Sequence, residues 1–534
     1  MSGVTTVLLL VVLATAVATG ARRWSIPAPS LLVVAGVLVG TLPFVPTVRV
    51  PPEVISVAVL PPLLYASAEE ISWRELRAVW RPVTVLALGL VLASAFSVGA
   101  IASAITPLPP AMAFVLGAVL ASTDPVAVTA LGRRLALPPR VQTLVQSESL
   151  FNDATSLVLF KVAVSMAVAA GSVSLSSAAG EFLLLAGGGA VAGGAVAAVV
   201  AYIRSRTEDP VLETVTALVT PYAAYVIAED LHTSGVTAVV VAGVALGAQS
   251  HRLTNAHIRL QVHAVYGTVV FVLESVVFAL IGLELPGMLE LLATTGDLGG
   301  QRWAWTWQAL LIALAVIVIR LLWIGPTAWF MHRHRVQQQG QSAGRLSWRV
   351  PAVMTWAGTR GVMPLAAALT VPLVADDGTR LPYRELVLVL TTSVVAFTLV
   401  VQGFTLAPVV RASGIALEPE DSEREEAQAV NRILVAALDR LEEMTETDGV
   451  SPVVADRMRR DLQFRIDQAQ LATTDPASDA DAATVSDYRR LRRDLIAVES
   501  ATLQELYAEN RVSDSVRGNL QRTLDLEEAW LGQF

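Results

Sequence analysis

The sequence contains no cysteine. Disulfides, thiolate zinc sites and a cysteine nucleophile are therefore excluded, and the redox compartment is unreadable. Charge is also scarce. Only 16% of the 534 residues are charged, against about 25% in a soluble domain. Lysine occurs once, as Lys161. The net charge of −8 gives no basic footprint for nucleic acid. All six histidines (His232, His251, His257, His263, His332, His334) fall in loops or at the ends of apolar segments, which argues against a histidine relay through a membrane. What the chain has in excess is apolar residues, 54% of the total, with a mean hydropathy of +0.58. They come in long runs, so a count of soluble domains by length does not apply.

The charges divide the chain. Residues 417–534 carry 26 acidic residues against 14 arginines, a net of −12, and residues 1–416 have a net of +4. The expected organisation is a transmembrane domain over 1–412 and a helical cytoplasmic tail over 413–534. Thirteen apolar segments are long enough to cross, or nearly cross, a bilayer core of about 30 Å. They lie near 3–20, 28–45, 52–68, 82–106, 110–131, 142–170, 178–203, 211–229, 234–249, 263–286, 304–331, 350–374 and 386–412. A signal peptide is the alternative for the first, but such a peptide carries its positive charge ahead of its apolar stretch. Here Arg22 and Arg23 follow it. In the tail, three- and four-residue apolar spacing predicts helices near 421–446, 451–472, 485–510 and 512–532, interrupted around Thr473–Ala483. A solvated tail is the plain reading.

Basic residues set an expected orientation. Loops on one side hold sixteen arginines (Arg22, Arg23, Arg74, Arg77, Arg81, Arg133, Arg134, Arg140, Arg204, Arg206, Arg252, Arg259, Arg333, Arg335, Arg345, Arg349), and loops on the other hold four (Arg49, Arg302, Arg380, Arg384). By the positive-inside rule the N-terminus is outside and the acidic tail cytoplasmic.

An ionisable side chain within a span costs several kcal/mol, about 2.5–3.5 on insertion scales, and is a functional candidate by default. The candidates are Asp124, Glu148, Asp153, Lys161, Glu274, Arg320 and Arg360. In Ala121-Ser-Thr-Asp-Pro125, the proline removes a backbone donor and disfavours helix at Asp124. The helix is expected to break there, which is tolerated only where it faces protein or a water-filled cavity. Asp124 at the break suits a cation, and an ordinary proline kink capped by Asp124 fits equally well. In Ser147-Glu-Ser-Leu-Phe-Asn-Asp153, residues Ser149, Asn152 and Asp153 share one helix face and offer hard oxygen ligands. Polar packing between membrane helices explains Ser149 and Asn152; it does not explain Asp153. Gly358, Gly361 and Pro364 weaken the twelfth span around Arg360. If spans 1–6 and 8–13 are two six-helix repeats of opposite topology, spans five and twelve are equivalent members. Paired interrupted helices in inverted repeats point to a transporter's binding site. Two broken helices are then expected to cross near the midplane, with Arg360 compensating freed carbonyls and pairing with Glu148. Arg320 reads as a snorkelling or paired structural arginine, and Glu274 as either a cavity-lining or a neutral hydrogen-bonding acid. Lys161 lies eight residues beyond Asp153, about 12 Å along a helix, too far to join the ligands directly.

These motifs resemble a known family. Ser122-Thr-Asp-Pro-Val126, Glu148-Ser-Leu-Phe-Asn-Asp153, Phe278-Ala-Leu-Ile-Gly-Leu-Glu284 and Trp356-Ala-Gly-Thr-Arg-Gly361 resemble the monovalent cation:proton antiporter-1 family. Leu60-Pro-Pro-Leu-Leu-Tyr65 and Ser234-Gly-Val-Thr-Ala-Val-Val-Val-Ala-Gly243 look like its bacterial sodium/proton exchanger branch. The resemblance implies a homodimer of thirteen-helix protomers in a bacterial inner membrane. The mobile core would lie near 82–170 and 304–412, and the dimerisation scaffold near 3–68 and 178–286. It places cation and proton ligands on Asp124, Asp153, Ser149, Asn152 and the Thr123 carbonyl. It makes Glu148–Arg360 the buried ion pair, and the Asn152-Asp153 dipeptide implies electroneutral exchange. Many relatives carry a glutamate where this chain has Ala66, and the neighbouring Glu69 and Glu70 do not inherit its role.

The fold class expected is an all-α polytopic membrane protein with two inverted six-helix repeats. Its activity would be exchange of sodium or lithium for protons, with no cofactor, no resident metal and no nucleic-acid partner. A buried carboxylate holds either a proton or a small dehydrated cation, and the empty charged site is costly to move through a low-dielectric barrier. Three rivals remain. Potassium/proton exchange uses the same oxygen ligands. An intramembrane aspartic protease would use two aspartates sharing one proton, but its motifs are absent. A channel would need a continuous pore.

Overall fold

The computed structural model describes residues 3–24, 27–42, 55–124, 137–168, 175–207, 209–250, 256–294, 302–339, 348–372, 374, 381–415, 419–447, 451–471, 479–509, 511–513, 516–517, 520–521, 523–524 and 527–528. Pro125, Val126, Arg49, Arg133, Arg134, Arg252, Arg345, Arg380, His251 and the tail interruption over 473–478 lie outside the described residues. The chain forms two compact units, Met1–Ala416 and Leu417–Phe534.

The first unit is built from helices. In chain order they are α1 (Gly3–Trp24), α2 (Ala28–Gly40), α3 (Leu60–Glu69), α4 (Trp73–Thr84), α5 (Val91–Ile105), α6 (Pro110–Val119), α7 (Pro139–Val168), α8 (Leu175–Arg204), α9 (Pro210–Asp230), α10 (Gly235–Gly247), α11 (Ala256–Thr294), α12 (Arg302–Gln339), α13 (Arg349–Trp356), α14 (Val362–Leu369) and α15 (Arg384–Ser413). Among the described residues, seven helices are long and apolar enough to cross a membrane, and α15 is the most deeply buried of them.

Local chemistry sets several ends. Asp209 accepts from Val211 N and Leu212 N at 2.7 and 3.2 Å, and Ser234 accepts from Thr237 N at 3.2 Å. Both are helix N-caps. Pro110 starts α6 at the position where a missing N–H costs nothing. Gly414 ends α15 with φ 62°, a left-handed turn that glycine adopts without a Cβ penalty.

The Arg74–Arg81 segment, expected as a loop, is the helix α4. Its Ser72 cap and alternating apolar and basic faces suit a surface helix, and it runs into α5 through a π-helical segment, Val85–Leu90. Helix α12 extends past its apolar segment to Gln339, a stretch that contains no proline or glycine to stop it sooner. The tightest packing joins α2 to α11. A Cβ on Gly36 would overlap the Ala279 carbonyl, one on Gly40 the Leu283 carbonyl, and one on Gly282 the Val33 carbonyl. Small residues allow this backbone approach between membrane helices.

The second unit contains α16 (Pro419–Thr447), α17 (Pro452–Leu471) and α18 (Asp479–Ala508). Helices α16 and α17 pack together over Leu434, Leu441, Ala455 and Ile466. The first three expected tail helices are there, and α18 starts earlier than its apolar spacing suggested, within a polar run of Asp and Ala; the fourth, expected near 512–532, falls largely outside the described residues.

Candidate functional site

Helix α6 stops at Val119, and the chain through Ser122–Asp124 is not helical. Helix α13 likewise stops at Trp356, and α14 begins only at Val362. The two interruptions meet. Asp124 N donates to Thr359 O, and Thr359 Oγ1 donates to Asp124 O, both at 2.8 Å. The Arg360 guanidinium donates through Nη1 to Ala121 O at 2.8 Å and to Ser122 O, while its backbone N donates to Thr398 Oγ1 at 3.2 Å. A buried cation thus meets the unpaired carbonyls that a terminated helix leaves. Gly361 makes the approach possible, since a Cβ there would collide with the Asp124 carboxylate.

Helix α7 supplies the other half. Asp153 accepts from Ser122 Oγ. Ser149 Oγ donates to the Thr123 carbonyl. Asn152 Nδ2 donates to Thr123 Oγ1 at 3.2 Å and to Glu148 Oε1 at 3.3 Å. The i, i+3, i+4 spacing read from the sequence therefore brings Ser149, Asn152 and Asp153 onto the interrupted segment that carries Thr123 and Asp124. Thr123, Glu148, Ser149, Asn152 and Asp153 are buried, and Asp124 is half-buried. Ser122 and Thr359 were missed. Each adjoins a residue that was singled out, but a hydroxyl in a membrane segment is too common to stand apart.

The expected Glu148–Arg360 pair is corrected. Glu148 is held by Arg320 in a two-pronged ion pair, Nη1–Oε1 2.5 Å and Nη2–Oε2 2.9 Å. Arg320 Nε also donates to Met354 O at 3.0 Å. The reason is steric and electrostatic together. Gly358 has no side chain, and a Cβ there would overlap the Arg320 guanidinium. Arg360 is drawn instead to the carbonyls beyond α6. Arg320, at 2% exposure, is a paired structural residue and does not snorkel. Lys161 pairs with Glu229 at 2.6 and 2.8 Å, away from the aspartates as its distance along α7 implied.

Two cavities flank this cluster along α7. One, of about 280 Å³, is lined by Gln146, Ser149, Asp153, Asp124, Glu70 and Glu274. The other, of about 720 Å³, is lined by Leu157, Phe160, Lys161, Glu229 and Arg384 among others. From Gln146 to Lys161 the helix rises about 22 Å, so Asp153 lies between a cavity toward one end of the bundle and a cavity toward the other. Ala66 lines the first and adds no oxygen to it. Beside it is a cluster the sequence did not reveal: Arg204, read only as a loop arginine, is 3% exposed and lies 3.5 Å from Glu69 and 3.3 Å from buried Glu213.

Interrupted helices joined around intramembrane carboxylates, with a cavity on each side, are the architecture of a membrane transporter's binding site. The comparisons agree. The family described as "Sodium/hydrogen exchanger, transmembrane" matches residues 8–412. An uncharacterized Na(+)/H(+) exchanger of Mycobacterium tuberculosis is 34% identical over 518 residues, covering 96% of this chain and 93% of its own length. The Na(+)/H(+) antiporter ApNhaP of Aphanothece halophytica is 33% identical over 73% of this chain and 70% of its own. The solved structure of the sodium proton antiporter MjNhaP1 from Methanocaldococcus jannaschii superposes with a TM-score of 0.62 at 21% identity, over 77% of this chain and 98% of that one. That last likeness concerns the fold. The chain belongs to the sodium/hydrogen exchanger family, the monovalent cation:proton antiporter-1 group, and is a secondary transporter, not an enzyme.

Proposed function

We propose that the protein exchanges sodium or lithium for protons, electroneutrally, across a bacterial inner membrane. The observation that carries this reading is the convergence of the Asp153 and Asp124 carboxylates, Ser149 Oγ and the Thr123 carbonyl at one helical break beside a cavity. Hard oxygens of this kind suit an alkali cation. A carboxylate in low dielectric takes a proton when no cation is present, so the two cargoes compete for one site. Loaded with either, the site is close to neutral and crosses its barrier; empty, it carries charge and does not. Asn152, an amide beside Asp153, leaves one titrating acid in that dipeptide and supports one proton exchanged per cation.

The architecture belongs to the same proposal. Each of the thirteen apolar segments carries a described helix, in order, which supports a thirteen-span protomer, and the interruptions in the fifth and twelfth segments support the inverted repeats. The arginine bias supports an outside N-terminus and a cytoplasmic tail. The mobile core is assigned near 82–170 and 304–412, the scaffold near 3–68 and 178–286, and the assembly is a homodimer. Cation choice is the open axis. A relative from Bacillus pumilus, 30% identical over 71% of this chain and 57% of its own length, is named a sodium, potassium, lithium and rubidium/H(+) antiporter. Potassium exchange is therefore the second reading.

Purified protein in liposomes with an internal pH dye tests both. Sodium and lithium should drive proton flux without net current, and potassium should drive less. Asp153→Asn should abolish the flux while the protein stays folded and inserted. Normal sodium-driven flux in that variant would refute the assignment.

A further inference from the structure

Glu274 lies on α11, a helix with no part in the stitched breaks, and its half-buried side chain lines the cavity that holds Asp124 and Asp153. Among the described residues no hydrogen bond or ion pair engages it. Every other intramembrane charge singled out from the sequence has a polar partner: Glu148 and Arg320 hold each other, Arg360 holds carbonyls, Lys161 holds Glu229, Asp153 accepts from Ser122 and Asp124 is joined to Thr359 through its backbone. A carboxyl at membrane depth without a protein partner is expensive unless a water-filled cavity or a passing cation compensates it. The cavity beside Glu274, of about 280 Å³, has room for either. It also lies on one side only. Glu274 does not line the second cavity, on the Lys161 side of Asp153.

We infer that Glu274 is a cation-recruiting carboxylate of the exchange site, acting only when the site opens through the cavity lined by Gln146 and Glu70. The inference rests on the exchange reading above and adds an asymmetry to it. Helix α11 belongs to the part of the fold assigned as scaffold, and Asp124 and Asp153 belong to the part assigned as moving core. A carboxylate on the scaffold meets the site at one end of the stroke and is left behind at the other. In its ionised form it draws alkali cation into a narrow low-dielectric space. It therefore sets apparent cation affinity on one membrane face. Glu70 lines the same cavity but is exposed, so its charge is screened by bulk water.

The test uses full-length protein in proteoliposomes sorted by orientation, with sodium-driven proton flux measured from each face. Glu274→Gln should raise half-saturating sodium about tenfold from the face reached through this cavity, the size expected for losing one nearby charge. From the opposite face it should change less than about twofold, and the maximal rate should hold. Glu274→Asp, which keeps the charge, should stay within about threefold of wild type on both faces. Should Glu274→Gln fail to insert, Glu274→Asp compared with Glu274→Ser supplies the same contrast. Unchanged sodium dependence on both faces would overturn the inference, as would equal shifts on both faces. Total loss of flux that the aspartate variant does not restore would overturn it too. Each of these outcomes leaves the exchange reading standing as long as wild type exchanges and Asp153→Asn does not. Wild-type protein without cation-coupled flux would instead sink the exchange reading itself.

Discussion

Two arginines make nearly the same contact in the two units of the chain. In the membrane unit Arg320 grips Glu148 with two nitrogens at 2.5 and 2.9 Å, and in the tail unit Arg492 grips Glu527 with two nitrogens at 2.7 Å. The first pair is about 2% exposed, and the second is 23% and 39% exposed. Geometry is shared and solvent is not, so the contacts do different jobs. In water the pair gains little, because screening and side-chain entropy offset the Coulomb attraction. In the buried position each charge depends on its partner, and removing one strands the other. The tail tolerates charge, whereas the membrane unit holds charge only where a partner or a cavity accounts for it.

The largest break in that comparison comes from removing one member of the buried pair. Glu148→Ala or Arg320→Ala should destabilise the protein by about 3–5 kcal/mol, seen as a lower melting temperature in detergent. The double replacement Glu148→Leu/Arg320→Met should recover much of the loss. A double-mutant cycle should give strong coupling for Glu148 with Arg320 and weak coupling for Glu148 with Arg360; the reverse order would restore the pairing read from the sequence. Gly358→Ala is a milder break. It keeps every charge and pushes the Arg320 guanidinium aside, so a loss of about 1–3 kcal/mol is expected. Wild-type stability in that variant would show that the contact yields without cost. The smallest effect belongs to the tail. Arg492→Ala should cost no more than about 1 kcal/mol and less in high salt. Its arginine partner holds the Glu527 carboxyl below the usual carboxylate range. That contribution is present above the unfolded-state pKa and fades as pH falls through the lower folded one. A urea midpoint for the tail unit that drops more on acidification in wild type than in Arg492→Ala would match; equal drops would not.

The same contrast explains what was legible in the residues. Asp124, Glu148, Asp153 and Arg360 stand out because charge is conspicuous inside apolar runs, and helical spacing alone aligned Ser149, Asn152 and Asp153. Partner choice was not legible. Glu148 and Arg320 are separated by 172 positions, and their contact depends on the space left by one glycine, Gly358. Arg360 resembled the better partner because it lies within an interrupted segment. That same interruption presents it with carbonyl oxygens, which sequence cannot weigh against a distant carboxylate. Arg204 was hidden for the opposite reason. An arginine at the end of a span counts toward orientation, and nothing local announces that Glu69 and Glu213 enclose it. The helices themselves were legible in order and approximate limits, because apolar length is a direct requirement of the bilayer. Helix α4 was not, since arginine-rich stretches between spans look alike whether coiled or helical.

The glycine seam between α2 and α11 has a corollary for measuring motion. With carbonyls of each helix lodged where the other lacks a side chain, sliding along the shared axis would drive backbone into backbone. The pair is thus a fiducial rail inside the molecule. A sequence without native thiols lets a spin label be placed on that rail and a second on α7, and their separation would give the stroke of the carrier directly in ångströms.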